Sequence, residues 1–340
     1  MKLPPGKIPL EILEQIVFRN LGATRKEVAL GPAAGIDGAV INVADKSLVV
    51  SMDPITGATE RIGWLAVNVN ANDVATFGVE PAFYLSCVML PEKSDVKILT
   101  TISAQMNKAA KALGVAIIGG HCESTPELHH PIVVGCAMGM TKKDNYVTAG
   151  GAKPSDKLIL TKTAGIEGTA ILASDMEPQL KTVLNARVVD QGKMFFDHIS
   201  IVKDALTAFQ TGGVHAMHDP TEGGILGGVY EMTKASNLGI RISEKDIPVR
   251  RETKEICFFF KIDPLRLVSS GALLVAAKPS SAKKIVENLI NQGIMSSVIG
   301  EFVQNVDTRV LITKKGKRLN LDEPLTDHLW LALKRGEHST

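Results

Sequence analysis

The chain has 340 residues, of which 45% are hydrophobic and 22% are charged, and its formal net charge is only +2. This length exceeds what one hydrophobic core comfortably serves, so we expect two domains. The basic residues are scattered, which argues against a nucleic-acid partner, and no apolar run approaches the roughly 20 residues that span a bilayer. We therefore expect a cytoplasmic protein that binds neither nucleic acid nor membrane.

Helices and strands alternate in the first half of the chain. Apolar residues at helical spacing predict a leading amphipathic helix over residues 8–20, and two β-branched runs predict paired strands over 39–41 and 47–52. The pattern then predicts a helix over 60–77, a strand over 83–89, a helix over 95–113, the strand VAII before Gly119 and a strand over 132–140.

A turn-rich segment, GGAKPSD, begins at Gly150 and predicts a hinge. After it the strand KLILTK opens a second series, with helices near 166–175, 198–209, 223–236 and 280–292 and strands near 214–217, 272–277 and 297–301. We therefore expect one domain over residues 1–150 and another over 151–340, with α/β or α+β layers in both.

Four aspartates lie at the edges of predicted strands or helices: Asp37 in GIDGAVI, Asp53 in SMDPITG, Asp73 in NANDVATFG and Asp219 in HDPTEGG. Mg²⁺ prefers carboxylate oxygens together with phosphate and water, so aspartates that converge from several segments would suit a metal-phosphate site. Each one taken alone is also explained as a turn or cap residue, because Asp hydrogen-bonds nearby backbone donors.

Asp73 stands out because Asn68, Asn70 and Asn72 share its otherwise apolar predicted helix. Asn and Asp compete with the backbone for hydrogen bonds and lower helix propensity. Such a local conflict is typical of a functional site. A buried amide network that joins neighbouring strands is the structural alternative.

The segment VAIIGGHCES places Gly119, Gly120 and His121 directly after a predicted strand. Paired glycines let a backbone approach a ligand closely, although a plain tight turn explains them equally well. The nearby zinc-ligand types match no familiar zinc spacing: His121, Cys122, Glu123, His129 and His130.

The segment HDPTEGG predicts a helix that Asp219 or Thr221 caps and whose first turn opens with Gly223 and Gly224. Free N–H groups at a helix N-terminus bind anions, and glycines let phosphate approach, so a cation between Asp219 and phosphate is expected. The segment AGIEG resembles a phosphate loop only loosely, and the Walker, GxGxxG and GxSxG motifs are absent.

Taken in order, the motifs GIDGAVI, SMDPITG, NANDVATFG, GGHCE and HDPTEGG resemble those of the superfamily of AIR synthetase, selenophosphate synthetase, thiamine-monophosphate kinase and HypE. The resemblance covers residues 31–274. The stretches IGWLAVNVNANDVATFGVEP, GAKPSDKLILTKTAGIEGTAIL and DPLRLVSSGALLVA are most similar to HypE-like, AIR-synthase-related proteins.

The resemblance implies an N-terminal domain that forms a β-barrel across a homodimer, a C-terminal α/β domain, and Mg-ATP in a cleft near the dimer interface. By motif position it implies these metal-binding carboxylates: Asp37, Asp53, Asp73 and Asp219. It places these residues around the nucleotide: Lys7, Gly119, Gly120, His121 and Thr221.

Members of this superfamily commonly use ATP to activate a carbonyl or amide-type oxygen as its phosphate. HypE carries its reacting thiol near its C-terminus, whereas the last cysteine here is Cys257, and the segment LPPGKIP lacks the reactive residue of selenophosphate synthetases. We therefore expect an Mg-ATP-dependent enzyme acting on an unidentified small-molecule or protein-bound group. The alternatives are a kinase similar to thiamine-monophosphate kinase and a nucleotide-binding assembly factor with a maturation partner.

Overall fold

The computed structural model describes residues 6–8, 10–33, 35–56, 60–321 and 326–337, in which helices pack against two separate sheets. The helices are α1 (Leu10–Ile12), α2 (Ile62–Thr76), α3 (Val96–Leu113), α4 (Ile166–Asp175), α5 (Glu177–Lys181), α6 (Ala186–Lys193), α7 (Val202–Thr211), α8 (Gly224–Ser236), α9 (Arg251–Phe260), α10 (Pro279–Asn291) and α11 (His328–Glu337). Across these ranges, no helix combines the length and apolar character needed to cross a bilayer.

The strands are β1 (Val28–Leu30), β2 (Ala39–Val43), β3 (Lys46–Ile55), β4 (Pro81–Pro91), β5 (Ala116–Thr125), β6 (Ile132–Lys142), β7 (Lys157–Thr161), β8 (Val214–His218), β9 (Gly239–Ser243), β10 (Leu274–Ala277), β11 (Ser296–Val303), β12 (Arg309–Ile312) and β13 (Arg318–Asn320). The mixed α/β class expected from the sequence is confirmed.

The first sheet has the order β1-β2-β3-β6-β4-β5. Its neighbours are antiparallel except β4 and β5, which α3 connects as a parallel pair. The Asp95 side chain accepts a hydrogen bond from the Lys97 amide at 2.8 Å, and left-handed Gly114 follows the last turn, so local capping defines this crossover helix.

The second sheet has the order β13-β12-β9-β11-β7-β10-β8. Its neighbours are antiparallel except β12 and β9. The first sheet ends at Lys142 and the second begins at Lys157. We propose that the domain division falls between these two strands, at residue 150.

Helix α2 positions part of the site. All of its residues except Trp64 are buried, because it packs against β3 and β6 on one side and against α3 and α7 elsewhere. A helix that is covered all round needs partners for its polar side chains. The asparagines and the aspartate of α2 must therefore reach other elements or a ligand.

Two local predictions differ from the structure. The leading helix over 8–20 is much shorter, because three α-helical residues pass into a π-helical turn, Leu13–Val17, that leaves Ile16 and Val17 exposed. The alternative of a tight turn at Gly119 and Gly120 is wrong, because β5 continues through both glycines. A Cβ on Gly120 would overlap the carbonyl oxygen of Ser86 in β4, so glycine permits close strand pairing there.

Candidate functional site

A cleft of about 740 Å³ lies between the two halves of the chain. Its volume falls within the range of about 300–1,000 Å³ that is usual for small-molecule sites. Six of the sequence-predicted site residues line it: Lys7, Asp37, Asp53, Asp73, Asp219 and Thr221. The four aspartates, which lie far apart in the sequence, are therefore brought to one cavity.

The other three predicted residues, Gly119, Gly120 and His121, lie elsewhere. They belong to β5, the exposed edge strand of the first sheet, and do not line this cleft. The His121 ring lies 3.2 Å from the Glu123 carboxylate on the same exposed strand. Among the described residues, the only cluster of three metal-ligand types lies at Asp37, so the zinc alternative gains no support.

Asn70 places Asp53 at the cleft. Its side-chain oxygen accepts a hydrogen bond from the Asp53 amide at 2.8 Å, and its nitrogen donates to the Asp53 carbonyl oxygen at 3.2 Å. This paired contact fixes the end of β3 against α2. Burial and the Asp37 carboxylate together raise the pKa of Asp53 to about 6, while Lys7 opposes the rise.

Ser51 links Asp73 to Asp37. Its hydroxyl oxygen lies 2.7 Å from both Asp73 Oδ2 and the carbonyl oxygen of Asp37. Burial, followed by the Asp53 and Asp219 carboxylates, raises the pKa of Asp73 well above its ordinary value. These carboxylates repel one another in a confined space, which is the electrostatic setting that a bound cation relieves.

Asp219 is the most unusual of the four. Its side chain is buried, and neither carboxylate oxygen accepts a hydrogen bond from another residue among those described. Burial raises the pKa of Asp219 to about 8, with the Asp37 carboxylate as the next cause and His218 in opposition. A buried carboxylate without a donor is costly unless a ligand or a proton compensates it.

His218 bridges two carboxylates beneath the cleft. Its Nδ1 lies 2.7 Å from Asp37 Oδ2, and its Nε2 lies 2.8 Å from Glu231 Oε2. Burial lowers the pKa of His218, but Asp37 and Glu231 outweigh burial and raise it well above its ordinary value. Both ring nitrogens therefore act as donors, so His218 positions Asp37 and offers no lone pair to a metal.

Lys7 lies across the same network. Its ammonium group contacts Glu231 Oε1 at 2.8 Å, and its backbone amide donates to Glu222 Oε2 at 2.9 Å. Burial lowers the pKa of Lys7, but the Glu231 carboxylate outweighs it and the pKa is raised. The N-terminal segment is thus held at the cleft by two glutamates of the second half.

The predicted cap of helix α8 is wrong. Neither Asp219 nor Thr221 caps it, because Gly223 and Gly224 have φ values of +81° and +64° and the helix begins after the first of them. Instead, Asp327 Oδ2 accepts a hydrogen bond from the Gly223 amide at 2.7 Å. Asp219 and Thr221 are therefore free of capping and face the cleft.

Sequence reasoning missed several cleft residues. Asp327 comes from the C-terminal segment, where no local pattern marks it, and Trp330 lines the same wall. Glu167 lies in the first turn of α4, within the AGIEG segment that resembles a phosphate loop. Adjacency to Asp219 was the one sequence signal for His218.

The donor set fits a hard cation such as Mg²⁺. One donor atom from each of Asp37, His218 and Asp219 lies within 4.8 Å of the others, and His218 is already committed to carboxylates. Oxygen ligands remain, namely the Asp37 and Asp219 carboxylates with Asp53 and Asp73 beside them, and hard cations take oxygen ligands. The unpartnered Asp219 carboxylate is the observation that supports this fit.

Comparisons with known proteins agree on one family. The model described as "AIR synthase related protein, N-terminal domain" matches residues 35–141, and the corresponding C-terminal domain model matches residues 153–312. A protein of Methanocaldococcus jannaschii named for hydrogenase expression and formation is 27% identical over 329 residues, which cover 95% of each chain. Carbamoyl dehydratase HypE of Escherichia coli is 28% identical over 283 residues, covering 82% of this chain and 81% of that one.

Solved structures show the same fold. HypE in a HypE–HypF complex has a TM-score of 0.75 at 23% identity, covering 92% of this chain and 99% of that one. HypE in complex with ATP has a TM-score of 0.68 at 22% identity, covering 95% and 97%. ThiL complexed with AMPPCP and TMP has a TM-score of 0.71 at 17% identity, covering 95% and 99%. The chain belongs to the AIR synthase-related family, as a HypE-like member.

Proposed function

We propose that this protein is an Mg-ATP-dependent enzyme that activates a carbonyl or amide-type oxygen by phosphorylation. The buried, unpartnered Asp219 carboxylate in a cleft with three more aspartates carries the proposal. It is supported by the names of the relatives, since the Escherichia coli relative is a carbamoyl dehydratase and one similar HypE structure contains ATP. The expected cytoplasmic location stays a prediction.

The aspartates would hold Mg²⁺ through Asp37 and Asp219, with Asp53 and Asp73 completing the acidic wall. Magnesium bound there supplies neutralisation of phosphate charge during transfer. The protein's own part is positioning: His218 and Ser51 orient Asp37, and Asn70 orients Asp53. Lys7 and Thr221 line the same cleft, so we assign them to nucleotide binding.

The reaction class is tested by mass spectrometry of the products formed from ATP and a metabolite panel. ADP with free phosphate would support activation followed by loss of phosphate. ADP with a phosphorylated small product would instead identify a kinase. ATP turnover that requires a partner protein would identify an assembly factor.

Asp53→Asn and Asp73→Asn are each expected to weaken Mg-ATP binding at least about 100-fold, or about 2.7 kcal/mol, because each removes one charge that faces the cation. Isothermal titration calorimetry measures this directly. Asp45→Asn, at an exposed turn between β2 and β3, is the matched control and should bind like the parent. Unchanged binding in both cleft variants would show that the site is misassigned.

We also propose that the active form is a homodimer built on the first sheet. Helix α2 covers one face of this sheet, whereas Met52 and Met140 are exposed on its outer face. Among the described residues, no strand pairs with the outer edge of β5, which is exposed and carries Ile117 and Ile118, and such edges invite pairing with another chain. A second copy would cover both features, and Gly119, Gly120 and His121 would then lie at the interface.

Ile118→Glu is expected to raise the dimer dissociation constant at least about 100-fold, because burying an unpaired carboxylate at an apolar contact is costly. Multi-angle light scattering across a dilution series measures this. Ile290→Glu on α10 is the matched control, since Ile290 is 53% exposed and Ile118 is 54% exposed. A parent protein that is monomeric at every concentration would contradict the dimer.

A further inference from the structure

Glu167 lies on the wall of the cleft that the second half of the chain supplies. It shares this wall with Asp219, Thr221, Glu222, Ser270 and Asp327, whereas Asp37, Asp53 and Asp73 come from the first half. If Mg²⁺ and the phosphates of ATP lie at the aspartates, as the proposed function requires, the group that accepts phosphate must lie in the same cleft, which Glu167 also lines. The inference about Glu167 therefore rests on the proposed function.

Backbone contacts fix the position of Glu167. The Gly165 amide donates to Ser269 Oγ at 2.8 Å, and the Gly168 amide donates to the Val268 carbonyl oxygen at 3.0 Å. A Cβ on Gly168 would overlap the Leu267 side chain, so this close approach requires glycine. The first turn of α4 is thus joined to the segment before β10, and Glu167 is held against Ser270.

The neighbouring acids on this wall already have structural duties. Asp327 accepts hydrogen bonds from the Gly223 and Leu329 amides, both at 2.7 Å. Glu222 accepts one from the Lys7 amide. Within the described part of the chain, Glu167 accepts a hydrogen bond from the Ser270 hydroxyl and none from a backbone amide. Apart from Asp219, which the proposed function assigns to the metal, Glu167 is therefore the acid of this wall whose carboxylate no backbone amide holds among the described residues.

We propose that Glu167 is the general base that takes the proton from the acceptor as its oxygen attacks the γ-phosphate. With an amide acceptor, the carbonyl oxygen forms the new bond to phosphorus, and the bond from phosphorus to the β–γ bridging oxygen breaks with its electron pair, releasing ADP. The N–H proton passes to the Glu167 carboxylate. With water as acceptor, the proton comes from water and the products are ADP and phosphate.

The protonation behaviour of Glu167 suits this role. Burial raises the pKa of Glu167 to about 7; the Ser270 hydrogen bond opposes the rise, and Asp327, Glu222 and Asp53 add to it. A base must be ionised to accept a proton, so ADP formation should increase as the pH rises through about 7. Glu167→Gln should lose this increase.

The test uses the full chain with Mg-ATP alone, so that water is the acceptor. Glu167→Gln should slow ADP formation at least about 100-fold, the usual effect of losing a general base. Its affinity for Mg-AMPPCP, measured by calorimetry, should change little. Asp175→Asn is the matched control, because Asp175 lies at the opposite end of α4, outside the cleft, and burial raises its pKa to about 6. Both of its readouts should match the parent.

Three outcomes would overturn the role of Glu167. The first is an undiminished rate of ADP formation in Glu167→Gln. The second is a parallel loss of this rate and of nucleotide affinity, which would indicate a structural role. The third is a parent that binds Mg-AMPPCP but forms no ADP. A parent that binds no nucleotide would instead overturn the proposed function. The two failures are therefore distinguishable.

Discussion

Asp219→Asn is expected to lower the affinity for Mg-ATP by about 1,000-fold, or about 4 kcal/mol, and to raise the melting temperature of the metal-free protein. The affinity for Mg-ATP falls because a buried, charged ligand of the cation becomes neutral. The melting temperature rises because the neutral amide removes the repulsion with Asp37. A buried amide, unlike a buried carboxylate, does not have to take up a proton to become uncharged. Calorimetry and differential scanning calorimetry without Mg²⁺ measure the two effects.

Asp156→Asn is the matched control for this pair of effects. Asp156 is equally buried, but its carboxylate accepts hydrogen bonds from the Lys153 amide and the His215 ring. Its replacement should lower the melting temperature and leave Mg-ATP affinity unchanged. If Asp219→Asn behaved like Asp156→Asn, Asp219 would be a structural residue and the metal site would be wrong.

The convergence of the aspartates could be predicted because each lies in a short motif whose order is characteristic of a family. Asp53 and Asp73 follow or interrupt apolar runs, so the sequence indicates their elements as well as their chemistry. Asp219 likewise lies in a short motif, HDPTEGG, which contains two glycines. What the sequence could not decide was which of these carboxylates has a structural partner.

The asparagines of α2 show both alternatives at once. Asn70 and Asn72 form a buried amide network, although it joins α2 to β3 and to residues 199–201 rather than joining neighbouring strands. Asp73, one residue further along, faces the cleft. Successive residues of a helix are rotated by about 100°, which separates these roles. Polarity alone does not reveal which side of a helix that is covered nearly all round faces the cleft.

The second wall of the cleft could not be predicted from local sequence. Asp327 and Trp330 reach it from α11 and the segment before it, which lie beyond the matched family models. Glu167 carries no motif beyond two glycines, and its significance arises from burial against Ser270. Both depend on long-range packing that hydrophobic periodicity does not encode.

Asn72→Ala is expected to lower the free energy of unfolding by about 3 kcal/mol. The Asn72 side chain accepts a hydrogen bond from the Ile201 amide at 2.8 Å and donates to the Ile199 carbonyl oxygen at 2.9 Å. Because all three groups are buried, alanine leaves two backbone groups without partners where water does not reach them. Urea denaturation followed by circular dichroism measures the loss.

Asn68→Ala separates this effect from helix propensity. Asn68 is also buried in α2, but among the described residues its amide donates only to the Trp64 carbonyl oxygen one turn earlier, within the same helix. Both variants gain the same helix propensity from alanine, so the difference between them reports the contact with residues 199–201. Equal free energies of unfolding for the two variants would contradict a stabilising role for that contact. A larger loss of unfolding free energy in Asn72→Ala would mean that one amide of α2, in the first half of the chain, holds the segment that follows α6. This contact would fix the position of one wall of the cleft relative to the other.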